Sequence, residues 1–165
     1  MRRRRPAGAA VALGILLAGC GVPPTGVVEA GEPASGLTRG ARLYFASAGG
    51  LRPVPVDDTE ITNLDTVLKV LLLGPPPGGR SDGLTSYVEL PGFSATGTGT
   101  RVTLNLDGPY PGSGRDQGTG QLVCTLARAQ SVLVPEVRID DVEVTVRPAG
   151  SSPLGPYRCA DFLDR

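Results

Sequence analysis

The chain has no histidine, no tryptophan, one methionine and a single lysine, Lys69, among its 165 residues. Without histidine, neither a Ser-His-Asp nor a Cys-His mechanism can be assembled, and no histidine metal site exists. Serine–lysine chemistry would need Lys69, which the pattern below places inside a helix, a poor position for a base. Aromatic surface is scarce, with four tyrosines and three phenylalanines. That argues against the aromatic-lined cleft a glycoside hydrolase builds around its carboxylate pair. No apolar run reaches the roughly 20 residues of a membrane span, and Lys69 interrupts the best candidate. No catalytic residue, metal ligand or cofactor is implied.

What is present starts with an address. Arg2, Arg3, Arg4 and Arg5 form a basic region, Ala7 to Leu17 a short apolar one, and Ala18 and Gly19 are small. This is the layout of a secretory signal peptide. Leu17-Ala18-Gly19-Cys20 resembles the bacterial lipobox, which is cleaved just before the cysteine. The resemblance implies a thioether-linked diacylglycerol on Cys20, with acylation of the freed amine, and two or three chains anchor stably where one does not. Cleavage after residue 19 removes four arginines and leaves 12 basic against 16 acidic side chains, a net charge of −4. No basic cluster remains downstream, so the electrostatic footprint of a nucleic-acid binder is missing. The expected location is the outer face of the cell membrane, held by lipid.

Residues 20–40 are rich in Pro, Gly, Ser and Thr without periodicity, which reads as a flexible tether after the lipidated cysteine. Beyond it, about 125 residues make one small domain. Ala41–Ala46 reads as a strand, Gly49-Gly50 as a turn, and Leu51–Val56 as the hairpin partner. Pro53 and Pro55 mark that partner as an edge strand. Leu64, Val67, Leu68, Leu71 and Leu72 fall on one helical face, so Asn63–Leu73 is expected to be a helix around which the rest is organised. Thr62 or Asn63 can cap it, Asp65 suits its first turn, and Gly74 with Pro75 to Pro77 ends it. Pro75–Gly83 reads as loop, Ser86–Leu90 as a short strand, and Phe93–Thr98 as an extended piece. Thr100–Asp107 alternates, with Val102, Leu104 and Leu106 on one side, and is the clearest strand.

A second, weaker helix is expected from Gln117 or Thr119 to Ala129, with Leu122, Val123, Leu126 and Ala127 as its apolar face. Glycines at its start weaken it. Ser131–Ile139 reads as short extended pieces around Pro135, and Asp141–Val146 as a strand with Val142, Val144 and Val146 inward. The expected class is α+β: a small, mostly antiparallel sheet with two main helices packed on one face. The domain is assigned to 41–147, and 148–165 reads as a tail.

With Cys20 lipidated, Cys124 and Cys159 remain, an even pair in an oxidising compartment. A disulfide between them would staple the tail to the second helix. The alternatives are a buried free Cys124 beside a mobile tail, or an intermolecular bond. The acidic clusters Asp57-Asp58-Glu60 and Asp140-Asp141-Glu143 follow no calcium-loop pattern and read as solvated turns. Gly112 to Gly120 precedes a helix, but it lacks a Walker lysine and a G-x-G-x-x-G register, so a flexible loop with an N-cap is the better reading. Arg115 within it remains available to an anionic polymer.

Several landmarks in order resemble the GerMN domain, a small extracytoplasmic module of sporulation and germination proteins. They are Leu43-Tyr44-Phe45, Leu51 to Val56, a helix closing Leu71-Leu72-Leu73-Gly74-Pro75, Leu90-Pro91, the strand Val102 to Leu106, and Gln121-Leu122-Val123-Cys124-Thr125-Leu126. The departure is at Ile139-Asp140-Asp141-Val142, which has no D-G turn where the family's last hairpin commonly carries one. With the lipobox and the Gly/Ala/Arg/Pro content, the resemblance suggests an actinobacterial envelope lipoprotein. It implies a non-catalytic binding or assembly module, since GerMN domains are associated with envelope and spore-coat assembly. The implied partners are the membrane, through Cys20, and an unidentified envelope protein, with self-association as a further option. The alternative is a small-ligand or glycan-binding lipoprotein, with a pocket near Tyr87, Phe93 and Tyr110.

Overall fold

One helix, α3 (Gln117–Leu133), carries most of the packing in the computed structural model, which describes residues 41–56 and 61–163 within one compact unit. Every residue from Gly118 to Ala127 is buried, so α3 is surrounded on all sides. It packs against β1 (Ala41–Ser47), β2 (Gly50–Val56), β4 (Arg101–Leu106), β5 (Glu143–Pro148), α1 (Leu64–Leu72) and α4 (Ala160–Leu163). The expectation that α1 organises the domain is therefore corrected: α1 packs on β1, β3 (Phe93–Thr98) and α3, at one side of the core. Helix α3 also runs longer than its expected end at Ala129. It stops at Leu133 because Pro135 drives Val134 out of the helical region, to φ −129° and ψ 88°. The extended pieces expected over Ser131–Ile139 are instead the end of α3, a turn, and a 3-10 turn at Ile139–Asp141.

The fold is α+β. β1 and β2 form an antiparallel hairpin whose turn is Ala48-Gly49, one residue earlier than the Gly49-Gly50 expected, because Gly50 already pairs with Ser47. A four-stranded sheet runs in the order β3-β4-β5-β6, with β6 at Leu154–Tyr157. Its outer pairs are antiparallel, but β4 and β5 are parallel and joined through α3. Val102 faces Val144 and Leu104 faces Val146 in that register, which aligns the two apolar faces. Residues 139–142 deliver the chain from α3 into β5 and do not close a hairpin. The stretch expected as a stapled tail holds regular structure over residues 148–163: Pro148 ends β5, β6 pairs with β5, and α4 buries Phe162.

Local chemistry explains the remaining elements. Asn63 caps α1, accepting from Thr66 N at 2.8 Å, and Gly74 takes φ +81° just past its end. Asp65 does more than suit the dipole: its Oδ1 accepts the Ala95 N–H at 2.7 Å and so closes part of the free edge of β3. The expected loop at Pro75–Gly83 contains a short helix, α2 (Pro77–Ser81), with Pro77 at the first helical position where no N–H is needed. Ser86–Leu90 is not a strand; only Thr85 bridges to Ala46, by two hydrogen bonds of 2.9 and 3.0 Å.

The edge reading of β2 has a specific basis. Tyr44, opposite Pro53, turns its N–H to Thr125 Oγ1 and its C=O to the Gln121 amide, away from β2. By the alternation of an antiparallel ladder, Pro53 and, two residues on, Pro55 present their nitrogens outward. The free edge of β2 thus lacks donors where an added strand would need them.

Candidate functional site

Around the first turn of α3 the chain forms a groove of about 520 Å³ lined by Tyr87, Glu89, Tyr110, Pro111, Gly112, Ser113, Asp116, Gln117 and Gly118. A second concavity of about 300 Å³, with Ser47, Gly83 and Thr85 in its wall, shares Tyr87 and Gln117 with the first.

The back wall is fixed from the helix end. Asp116 is the N-cap of α3: Oδ1 accepts from Thr119 N at 2.7 Å and from the Thr119 hydroxyl at 3.1 Å. Its Oδ2 accepts from Ser113 N and, at 2.9 Å, from the Ser113 hydroxyl. Burial alone would push this carboxyl up, but the four hydrogen bonds together hold it below its ordinary value. The position at which an anion would sit over this helix end is thus filled by the chain's own carboxylate, in agreement with the N-cap reading of residues 112–120. Thr119, fully buried, passes the constraint on: its hydroxyl and that of Tyr110 lie 2.8 Å apart. Burial pushes the Tyr110 phenol up to about 12, against the opposing effect of the Thr119 hydrogen bond, so it stays neutral.

The front wall is Tyr87, 60% exposed. Its side chain is open but its backbone is not, because Tyr87 N donates to Gln121 Oε1 at 2.8 Å. Gln121 is wholly buried, and its Nε2 donates to Tyr44 O at 3.1 Å and to Thr85 O at 3.4 Å. A buried amide on α3 therefore aligns β1 with the irregular segment 85–88. Gly118 allows the close approach, since a Cβ there would lie 2.8 Å from Tyr87 O. Gly118→Ala is expected to destabilise the protein by about 1–3 kcal/mol through this overlap, even though alanine favours a helix over glycine by about 1 kcal/mol. Urea unfolding checks it: a stability gain would show that segment 85–88 yields freely.

Of the residues singled out from sequence, Tyr87 and Tyr110 line the groove and Phe93 does not; Phe93 begins β3 and packs against the core. Arg115 points its loop toward a separate concavity of about 560 Å³ with Tyr157, Asp161 and Phe162. Cys124 and Cys159 are bonded to each other, joining α3 to the start of α4, so the free-cysteine and intermolecular alternatives do not describe this structure. Glu143 pairs with Arg158 at 2.7 Å and Asp140 lies 3.9 Å from Arg138. No cluster of potential metal ligands occurs among the described residues. Lys69 is exposed on α1. Cys20, the tether and Asp57-Asp58-Glu60 lie outside the described residues. Gln121, Thr119 and Asp116 were not identified as site residues from sequence. Asp116, an aspartate immediately before the helical segment, was a usable N-cap signal, whereas nothing local marks Gln121. Comparison of the chain with protein-family models, curated proteins and solved structures gives no match.

Proposed function

We propose that the chain is a lipid-anchored, extracytoplasmic binding module of the cell envelope, GerMN-like in layout and without catalytic activity. The observation that carries this reading is how the groove's two internally bonded groups, Asp116 and Tyr110, are used. The carboxylate that is most restrained, Asp116, has its pKa lowered and all of its hydrogen bonds made to the chain's own loop and helix. The buried phenol, Tyr110, is held neutral. A general acid or base needs a pKa near the working pH and a free lone pair or proton. Here the same restraints hold a surface in shape, which is what binding requires. The lipobox-like Leu17-Ala18-Gly19-Cys20 supports a position outside the membrane, and the acidic balance of the processed chain would leave anchoring to the lipid. Pro53 and Pro55 disfavour self-association by strand addition at β2.

Crosslinking in intact cells followed by mass spectrometry tests this, with Cys20→Ala as control. The expected result is a reproducible set of crosslinks from the domain surface to one envelope component, lost when the anchor is lost. Crosslinks only to abundant neighbours, or an unchanged set in the Cys20→Ala cells, would refute it.

A further inference from the structure

We infer that the groove at the start of α3 takes a neutral, hydroxyl-rich saccharide chain, with Tyr87 as its stacking platform. The inference rests on the binding-module reading and specifies its ligand. No lysine or arginine lines either concavity that shares Tyr87, and Arg115 lines only the adjoining concavities, so a ligand over Tyr87 meets no cation in the groove itself. Asp116 is fully engaged, so one carboxylate, Glu89, is left to face a ligand. One exposed carboxylate is a weak attraction for a polycation but a good acceptor for sugar hydroxyls. Glu89 and Gln117 are both exposed, and neither side chain has a hydrogen-bond partner among the described residues. An acceptor and an amide with both donor and acceptor flanking an exposed ring is the group set that hydroxyl pairs and a sugar's apolar face require.

The shape points the same way. Because Tyr87 and Gln117 belong to both concavities, a ligand crossing Tyr87 meets aromatic and carboxylate groups on one side and Thr85 on the other, the Ser47 hydroxyl there being bonded to Gly50 O at 2.8 Å. That suits a chain of several sugar units better than a compact molecule. The platform is also pre-set: the backbone of Tyr87 is fixed by Gln121, so ordering it costs little on binding.

The test uses the full chain purified from membranes in detergent. It is titrated calorimetrically with neutral oligosaccharides of glucose, galactose, mannose, arabinose and N-acetylglucosamine, and with a proline-rich cationic peptide. At least one oligosaccharide is expected to bind, and Tyr87→Ala to weaken it by about tenfold or more through the lost ring face. Tyr87→Phe should retain most of the affinity, and Glu89→Gln should lower it modestly. Tyr87 is exposed, so Tyr87→Ala leaves the fold intact, which its unfolding midpoint verifies. Binding of no oligosaccharide, binding indifferent to Tyr87→Ala, or preference for the cationic peptide each overturns the inference. A photo-reactive residue in place of Tyr87 separates the two levels. If it captures an envelope protein while no sugar binds, the saccharide inference fails and the binding-module reading stands; if it captures nothing and no sugar binds, both fail.

Discussion

Cys159→Ser is expected to lower stability by about 3–4 kcal/mol, the loop-closure entropy of a crosslink of this span. The bond joins positions 35 apart in sequence and ties α3 to the last turn of the chain. Both cysteines are buried, Cys124 in the middle of the most enclosed helix and Cys159 at the start of α4. What the bond holds is more than a tail. β6 covers the edge of β5, Phe162 of α4 is buried, and Tyr157 meets Phe162 edge-on at 5.6 Å between ring centroids. Phe162 also lies beside Gly120, where an added Cβ would come within 2.9 Å of it. Without the crosslink these short elements depend on a four-residue strand, the packing of Phe162 and the exposed Arg158–Glu143 pair, and their loss would leave β5 as an open edge. Urea unfolding of the variant and of the wild type under reducing conditions should give the same lowered midpoint. If neither midpoint moves, β6 and α4 hold by packing alone and the staple is redundant.

The strands β4 and β5 were legible because burial on one face leaves a mark of period two. Val102, Leu104 and Leu106, like Val142, Val144 and Val146, are all buried as the alternation implies. The same alternation concealed their pairing. Strands buried on both faces are the usual sign of a parallel join, and here Arg101, Thr103 and Asn105 occupy the second face at least partly exposed. β6 was invisible because L-G-P-Y contains two residues that disfavour strands, a glycine at φ +101° and a proline. α1 was legible and over-rated, since a clean apolar stripe signals one buried face. α3 was under-rated for the opposite reason: a helix buried all round needs no stripe. Its Thr119, Gln121, Thr125 and Gln130 lie outside the apolar face the sequence marks, yet each is buried and hydrogen-bonded to another part of the chain. Polar residues that serve long-range backbone groups carry no local pattern, so the groove they support was traceable only through its two tyrosines.

Gln121→Leu carries the second large effect. Leucine matches glutamine in helix propensity and adds apolar surface to a fully buried position, so local reasoning favours the change. The expected outcome is nevertheless a loss of about 2–4 kcal/mol, because Tyr87 N and Tyr44 O both lose their partner. Neither Tyr87 N nor Tyr44 O has a second hydrogen-bond partner among the described residues. The loss should also be localised. Hydrogen exchange at the Tyr87 amide should accelerate well beyond the change in global stability, while amides of β4 and β5 should follow the global value. Tyr87 would then keep its ring but lose its fixed backbone, and ligand affinity at the groove should fall even where the protein remains folded. A Gln121→Leu protein with wild-type stability and a protected Tyr87 amide would show that segment 85–88 is held by Leu84 and Val88 in the core, and that the buried glutamine is incidental to the groove. The two arrangements differ in what they permit. Apolar packing holds a segment by burying its side chains, whereas a hydrogen bond from the helix to the backbone holds it and leaves the side chain free, the condition Tyr87 meets in standing 60% exposed on an anchored main chain.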